Sequence, residues 1–230
     1  SGGASSRTSN YQAFGPEDVK SYEIGLKSEF WGRRARLNLA GYIMDRQNSQ
    51  VDISSVQFTA TGNFNNLVTI NAEGTTKIRG IEADLTVNPL EGLTLNASYA
   101  YTYTNIPLVP ITATAGGLST TVMQQFYIVF TPRNAASGSI DYSLPINDHD
   151  TALRFHLDGN YSQATQAFDQ FSTKADASLI FNGRISLADI GVGQGRNLTL
   201  SIWARNLFDE QYVFRRDPSN SLPGAPTSNL

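Results

Sequence analysis

The sequence predicts an all-β chain: an antiparallel transmembrane β-barrel segment of about eight strands, with long extracellular loops and short periplasmic turns. Three observations predict it. Apolar and polar residues alternate with a period of two through eight successive segments. The links between those segments alternate strictly between short and long. No apolar run approaches the roughly 20 residues that a membrane-spanning helix needs, and the longest are stretches such as Phe126 to Phe130.

The segments follow in order. In residues 22–27, Tyr22, Ile24 and Leu26 share one face while Glu23 and Lys27 share the other. In 36–43, Leu37, Leu39 and Ile43 alternate with Arg36, Asn38 and Tyr42. In 79–87, Ile81, Ala83, Leu85 and Val87 oppose Glu82, Asp84 and Thr86. The clearest alternation is 93–103, where Leu93, Leu95, Ala97, Tyr99, Tyr101 and Tyr103 alternate with Thr94, Asn96, Ser98, Ala100 and Thr102. Ile140, Tyr142 and Leu144 then oppose Ser139, Asp141 and Ser143. Leu153, Phe155, Leu157 and Tyr161 oppose Arg154, His156, Asp158 and Asn160. Phe181, Ile185 and Leu187 oppose Asn182, Arg184 and Ser186, and Leu198, Leu200, Ile202 and Ala204 oppose Thr199, Ser201 and Arg205. No segment has a convincing helical period.

The short links, at 31–34, 88–92, 145–150 and 189–196, are rich in turn residues. Between them fall longer polar links at about 47–66, 105–131 and 162–175. Outer-membrane barrels have short periplasmic turns, long extracellular loops, and strands with apolar residues outward and polar residues inward. The physical reason is that lipid offers backbone groups no hydrogen-bond partner, so a sheet spans a membrane only when closed. A soluble β-sandwich also alternates. The regular loops, the tyrosines near strand ends and the strand length favour the membrane.

Composition excludes other classes. Charged residues are 16% of the 230, against about 25% in soluble domains. A net charge of −3 leaves no electrostatic footprint for nucleic acid. The absence of cysteine removes disulfides, thiolate metal sites and a cysteine nucleophile. The polar opening, Ser1 to Ser6, carries no signal-peptide pattern.

Five motifs carry a family resemblance. Pro16-Glu17 leads into Tyr22-Glu23-Ile24-Gly25-Leu26-Lys27; Arg79-Gly80-Ile81-Glu82-Ala83-Asp84-Leu85 follows, and then Gly92 to Tyr101. Pro132-Arg133-Asn134 and Asn206-Leu207-Phe208-Asp209-Glu210-Gln211-Tyr212 complete the set. In this order the chain resembles TonB-dependent receptors. The resemblance implies a barrel of about 22 strands, plugged by an N-terminal domain and embedded in the outer membrane of a Gram-negative bacterium. It implies active import of a scarce nutrient: a ferric siderophore, cobalamin, haem or a saccharide. Its implied partners are outer-membrane lipid, the nutrient ligand, the TonB system acting through an N-terminal region, and the barrel assembly machinery. Residues 1–230 are then expected to be part of the barrel domain, without the plug, the early strands or the final strand. Gly224-Ala225-Pro226 resembles the start of that final strand, before the chain stops at Leu230. The alternative is a small self-contained barrel of eight strands with a structural or adhesion role.

No cofactor or enzymatic activity is expected. His156, Asp158 and Ser162 have the residue types of a hydrolytic triad, but alternate positions on one strand stand side by side, about 7 Å apart. Asn147, Asp148 and Asp150 lack the spacing of a calcium loop. The glycosylation patterns at Asn96 and Asn197 fall inside strands. The ligand-contact candidates lie in two loops. Gln124, Gln125, Phe126 and Tyr127 mix stacking and hydrogen-bonding groups, and so do Phe168, Asp169, Gln170 and Phe171.

Overall fold

The structure is a computed structural model, and it describes residues 3–4, 13–59, 62–115, 118–146 and 151–216. The opening Ser1 to Ser6 lies mostly outside the described residues, and Asn147, Asp148, Asp150 and Gly224 to Pro226 lie wholly outside them. Two residue pairs, β1 (Gly3–Ala4) and β2 (Ala13–Phe14), form a short ladder. The strands that follow are β3 (Asp18–Phe30), β4 (Ala35–Gln47), β5 (Gln50–Thr59), β6 (Gly62–Asn71), β7 (Thr75–Leu90) and β8 (Leu93–Asn105). Next come β9 (Val109–Ala115), β10 (Leu118–Gln124), β11 (Asn134–Pro145), β12 (Ala152–Ser162), β13 (Ser178–Gly191) and β14 (Asn197–Ala204). No helix occurs among the described residues.

Eight strands form one antiparallel sheet in the order β14-β13-β12-β11-β8-β7-β4-β3. Each of the eight alternating segments read from the sequence is one of these strands. The sheet is open: β3 and β14 are its edges. A self-contained barrel of eight strands would need those two strands to pair, and they do not.

Register makes the two faces continuous. Leu26, Leu39, Ala83, Tyr99, Ala136, Tyr161 and Leu179 are successive cross-strand partners across seven strands. On the other face, Glu29, Arg36, Thr86, Asn96, Ser139, Asp158 and Asn182 form an equally unbroken polar row. A slip of one residue in any pair would exchange the faces of every strand beyond it. The apolar row has no core to enter: Ile81 is 57% exposed and Ile185 53%. An apolar face of this extent exposed to water would be a large liability.

Two glycines mark places where an aromatic ring lies across the neighbouring strand. A Cβ at Gly159 would stand 2.6 Å from the ring of its cross-strand partner Phe181 on the apolar face. A Cβ at Gly80 would stand within 2.5 Å of the Tyr42 ring on the polar face. In each case the ring covers the backbone that glycine leaves bare.

The links differ from expectation in one respect. The long links at 47–66 and 105–131 are not irregular. They hold the antiparallel hairpins β5–β6 and β9–β10, each separate from the large sheet. The physical reason is that backbone groups in a long link need hydrogen-bond partners, which a hairpin supplies within the link itself. At the opposite end the turns are tight. The bulge between Val87 and Leu90 lets β7 reach Leu90, which leaves only Glu91 and Gly92 as its turn.

Candidate functional site

The polar face is a hydrogen-bonded lattice. Thr86 Oγ1 donates to Asn96 Oδ1 at 3.0 Å, and Asn96 Nδ2 donates to Ser139 Oγ at 3.1 Å. Ser98 Oγ donates to Asp84 at 2.7 Å. His156 is held between two carboxylates, with Nδ1 2.6 Å from Asp141 and Nε2 3.3 Å from Asp158. Asn160 and Asn182 both donate to the other oxygen of Asp158, at 2.9 and 2.8 Å. Ser162 takes no part: its hydroxyl donates to the Gln163 carbonyl at 3.3 Å. No hydrolytic triad is assembled. Among the described residues no group of three or more histidines and acids is placed to hold a metal ion.

Beyond the long end of the sheet, the loops pack into one layer. Its centre is an apolar cluster of Val51, Ala72, Ile106, Val109 and Phe126, backed by Ile53, Ile70, Ile111 and Ile128. These residues come from the β5–β6 and β9–β10 hairpins and the segments beside them. The link at 163–177 docks on this layer through backbone groups. The Tyr127 amide donates to the Asp169 carbonyl at 2.7 Å, and the Phe130 amide to the Gln166 carbonyl at 2.9 Å. The Asp52 amide donates to the Asp169 carboxylate at 3.3 Å. Burial holds the Asp169 carboxyl above the usual carboxylate range, and the nearby Asp52 carboxylate adds to that shift.

The two candidate groups therefore meet, although they are about forty residues apart in the chain. Gln124 Nε2 donates to the Gln170 carbonyl at 2.7 Å. Gln125 turns inward, donating to the carbonyls of Ile106 and Phe126 at 2.8 Å each. Phe126 is 1% exposed and packs the layer, so it has no surface to offer a solute. Tyr127, Phe168 and Phe171 are half-buried. The rings of Phe168 and Phe171 meet edge to face at 6.5 Å.

A fourth segment, residues 205–216, closes over this layer. Asn206 forms a side-chain clasp: its Oδ1 accepts from the Glu210 amide at 2.9 Å, and its Nδ2 donates to the Glu210 carbonyl at 3.0 Å. Phe208 meets Phe181 edge to face at 5.3 Å, which fixes the segment to β13. Phe214 stacks on Phe130 at 5.5 Å. The Arg215 guanidinium lies 4.5 Å above the Phe168 ring. Asp176 accepts from the Val213 amide at 3.0 Å and pairs with Arg216 at 2.7 Å, and the first of these holds its carboxyl below the usual range. Arg215, Phe130, Phe214 and Asp52 were not among the candidates read from the sequence. The available signal was the adjacent pair Arg215 and Arg216 just after the Asn206 to Tyr212 motif.

A groove of about 750 Å³ lies elsewhere and is lined mainly by Leu153, Phe155, Leu157, Ile185, Leu200 and Ile202 on the apolar face. Aliphatic walls of this kind suit acyl chains, not a polar solute.

A family model described as TonB dependent receptor-like, beta-barrel, matches residues 1–207. Among solved structures, the siderophore receptor PiuA from Acinetobacter baumannii is similar at 20% identity and a TM-score of 0.59, over 89% of this chain and 26% of that one. BauA, the ferric preacinetobactin receptor from the same organism, is similar at 15% identity and a TM-score of 0.61, over 91% of this chain and 28% of that one. The copper transporter OprC is similar at 15% identity and a TM-score of 0.55, over 87% and 27%. This chain thus spans about a quarter of the length of those proteins, and at such identities the likeness concerns the fold. The matching family is one of receptor-like β-barrels. The chain belongs to the TonB-dependent receptor-like β-barrel family.

Proposed function

We propose that the chain forms part of the barrel wall and the extracellular loops of a transport receptor in the outer membrane of a Gram-negative bacterium. The receptor imports a scarce nutrient and is energised through TonB, by way of a region beyond this chain. A plug, further strands, the surrounding lipid and the barrel assembly machinery complete the working protein. The observation that carries this reading is the pair of continuous rows, one apolar and one polar, running across a sheet whose long end bears a packed loop layer. A wall of that kind separates lipid from a polar lumen, and in this reading Gln124, Tyr127, Phe168 and Phe171 contact the nutrient.

The nutrient is a ferric siderophore complex or another metal chelate, by analogy with the siderophore receptor PiuA, the ferric preacinetobactin receptor BauA and the copper transporter OprC. Half-buried aromatic rings and amides suit a chelate that is both apolar and hydrogen-bonding. The test is uptake of radiolabelled iron or copper chelates by cells carrying the full-length receptor or its Tyr127→Ala and Phe168→Ala variants, with and without TonB. TonB-dependent uptake that falls in the variants supports the reading. Chelate-independent growth and unchanged uptake would oppose it.

A further inference from the structure

We propose that the turn between β3 and β4 is a docking point for anionic phospholipid headgroups of the leaflet that faces the periplasm. The inference rests on the outer-membrane reading above and adds a specific lipid site to it. Trp31, Gly32 and Arg33 all have left-handed backbone, with φ of 56°, 61° and 67°. Glycine takes this conformation freely, but a tryptophan there is an outlier. Strain of that kind concentrates where a side chain is needed in one place.

The side chains present a defined chemistry. Trp31 is 55% exposed, and Phe30 and Leu90 beside it are exposed on the end of the apolar face. An amphipathic indole at such a boundary sits at headgroup level. Arg33 and Arg34 are both exposed. Among the described residues the Arg33 side chain makes no ion pair or hydrogen bond, and the Arg34 guanidinium bonds only to the Pro89 carbonyl, at 3.5 Å. The Asn88 amide donates to the Arg34 carbonyl at 2.7 Å, tying this turn to the next one. Within the two turns the opposing charge is Glu91; Glu29 and Arg36 are cross-strand register partners on the polar face. Two exposed guanidiniums with no carboxylate partner among the described residues, beside an indole and an apolar band, match a phosphodiester above its acyl chains, which guanidinium binds in a forked geometry. An acidic peptide would satisfy the arginines and leave the apolar band uncovered.

The test is native mass spectrometry of the full-length receptor with phosphatidylglycerol, phosphatidylcholine or lipid A. The wild type is expected to retain phosphatidylglycerol in preference to the other two. Each Arg→Gln change at 33 and 34 should weaken that retention roughly five-fold, and the double variant about 25-fold. The Arg33→Lys/Arg34→Lys variant, which keeps the charge but not the fork, should fall between the wild type and the double Gln variant, and Arg196→Gln on another turn should leave retention unchanged. Heat-modifiable migration confirms that each variant is folded; were the double variant unfolded, Arg33→Gln alone decides. Insertion into phosphatidylcholine vesicles tests the underlying membrane reading separately. A receptor that inserts but retains phosphatidylglycerol equally well in the Gln variants overturns the site, as does a preference for lipid A.

Discussion

Placing arginine on the two faces of one strand pair gives the sharpest energetic consequence of the fold. Ala97 lies near the middle of β8, between Leu85 and Gly138 on the apolar face. Ser137 lies one step away on β11, between Ser98 and Asn160 on the polar face. The two sites share a depth and differ in what they face. Ala97→Arg puts a guanidinium among lipid tails, at a cost of about 2–4 kcal/mol near the bilayer midplane. That corresponds to a shift of about 30-fold to several hundred-fold in the folding equilibrium. Ser137→Arg meets water and the acceptors of Asn160 and Asp84, so its cost should stay below about 1 kcal/mol. The assay is reversible denaturant unfolding of the full-length receptor in lipid vesicles, with each variant measured at several denaturant concentrations. Equal costs at the two sites, or a larger cost at Ser137, would refute the assignment of faces. A soluble sandwich would also penalise Ala97→Arg, so each variant must also be assayed for partitioning without detergent.

Further consequences follow from local geometry. Gly92→Ala should be the worst of the glycine substitutions. Its Cβ would stand 2.3 Å from the Ser143 carbonyl at a φ of +76°, and a loss of about 2 kcal/mol or more in vesicle unfolding is expected. Gly159→Ala drives Phe181 off its neighbour and should cost about 1–3 kcal/mol; the double variant with Phe181→Ala should lose less than the sum, and strict additivity would count against the contact. Phe126→Ala should loosen the loop layer by about 3–5 kcal/mol, seen as faster proteolysis of residues 105–131, while Phe168→Ala should leave proteolysis unchanged and weaken ligand uptake. Asp169 gives a pH dependence. Its carboxyl is raised above the ordinary 3.8 by burial, so the docked link is penalised while Asp169 is charged and tightens as pH falls through the raised value toward 3.8. Asp176, lowered, acts with the opposite sign: its contribution is present above 3.8 and is lost as pH falls through its folded value below that. Hydrogen exchange at the Tyr127 amide should therefore slow from neutral pH toward pH 4 after correction for intrinsic rates, and Asp169→Asn should abolish the trend; a trend that survives the substitution would exclude Asp169 as its source.

The wall was legible because its two faces differ at every step. A period of two over segments such as 93–103 allows one register, and the observed pairing of Leu95 with Val87 and Ile140 follows it. The motifs were legible as strings, but their physical work was not. Arg79 donates to the carbonyls of Met44 and Ile78, each at 2.8 Å, and pairs with Asp45 at 2.6 Å. Asn134 accepts from the Tyr99 hydroxyl and donates to Gln163, both at 2.6 Å, joining β8 to the start of the third loop. Apart from Ile78, none of these partners is near in sequence. The loop layer was hidden for the same reason. Polar links such as 105–131 show no strong period, and their hairpins are held by a shared cluster drawn from four distant stretches of chain. Phe126 illustrates the loss: in the string it reads as a stacking residue beside two glutamines, and in the fold it is the centre of the layer. Arg215 illustrates the converse, a cation placed on Phe168 from the far side of β13 and β14.

The most direct test of the lipid-facing wall is accessibility along β8. This chain has no cysteine, so single cysteines at Leu95, Asn96, Ala97, Ser98 and Tyr99 can each carry a spin label in the full-length receptor in vesicles. Collision rates with oxygen and with a water-soluble nickel chelate then report what each position faces. The account predicts high oxygen and low nickel accessibility at 95, 97 and 99, and the reverse at 96 and 98. A flat profile, or nickel accessibility at 95, 97 and 99, would contradict it.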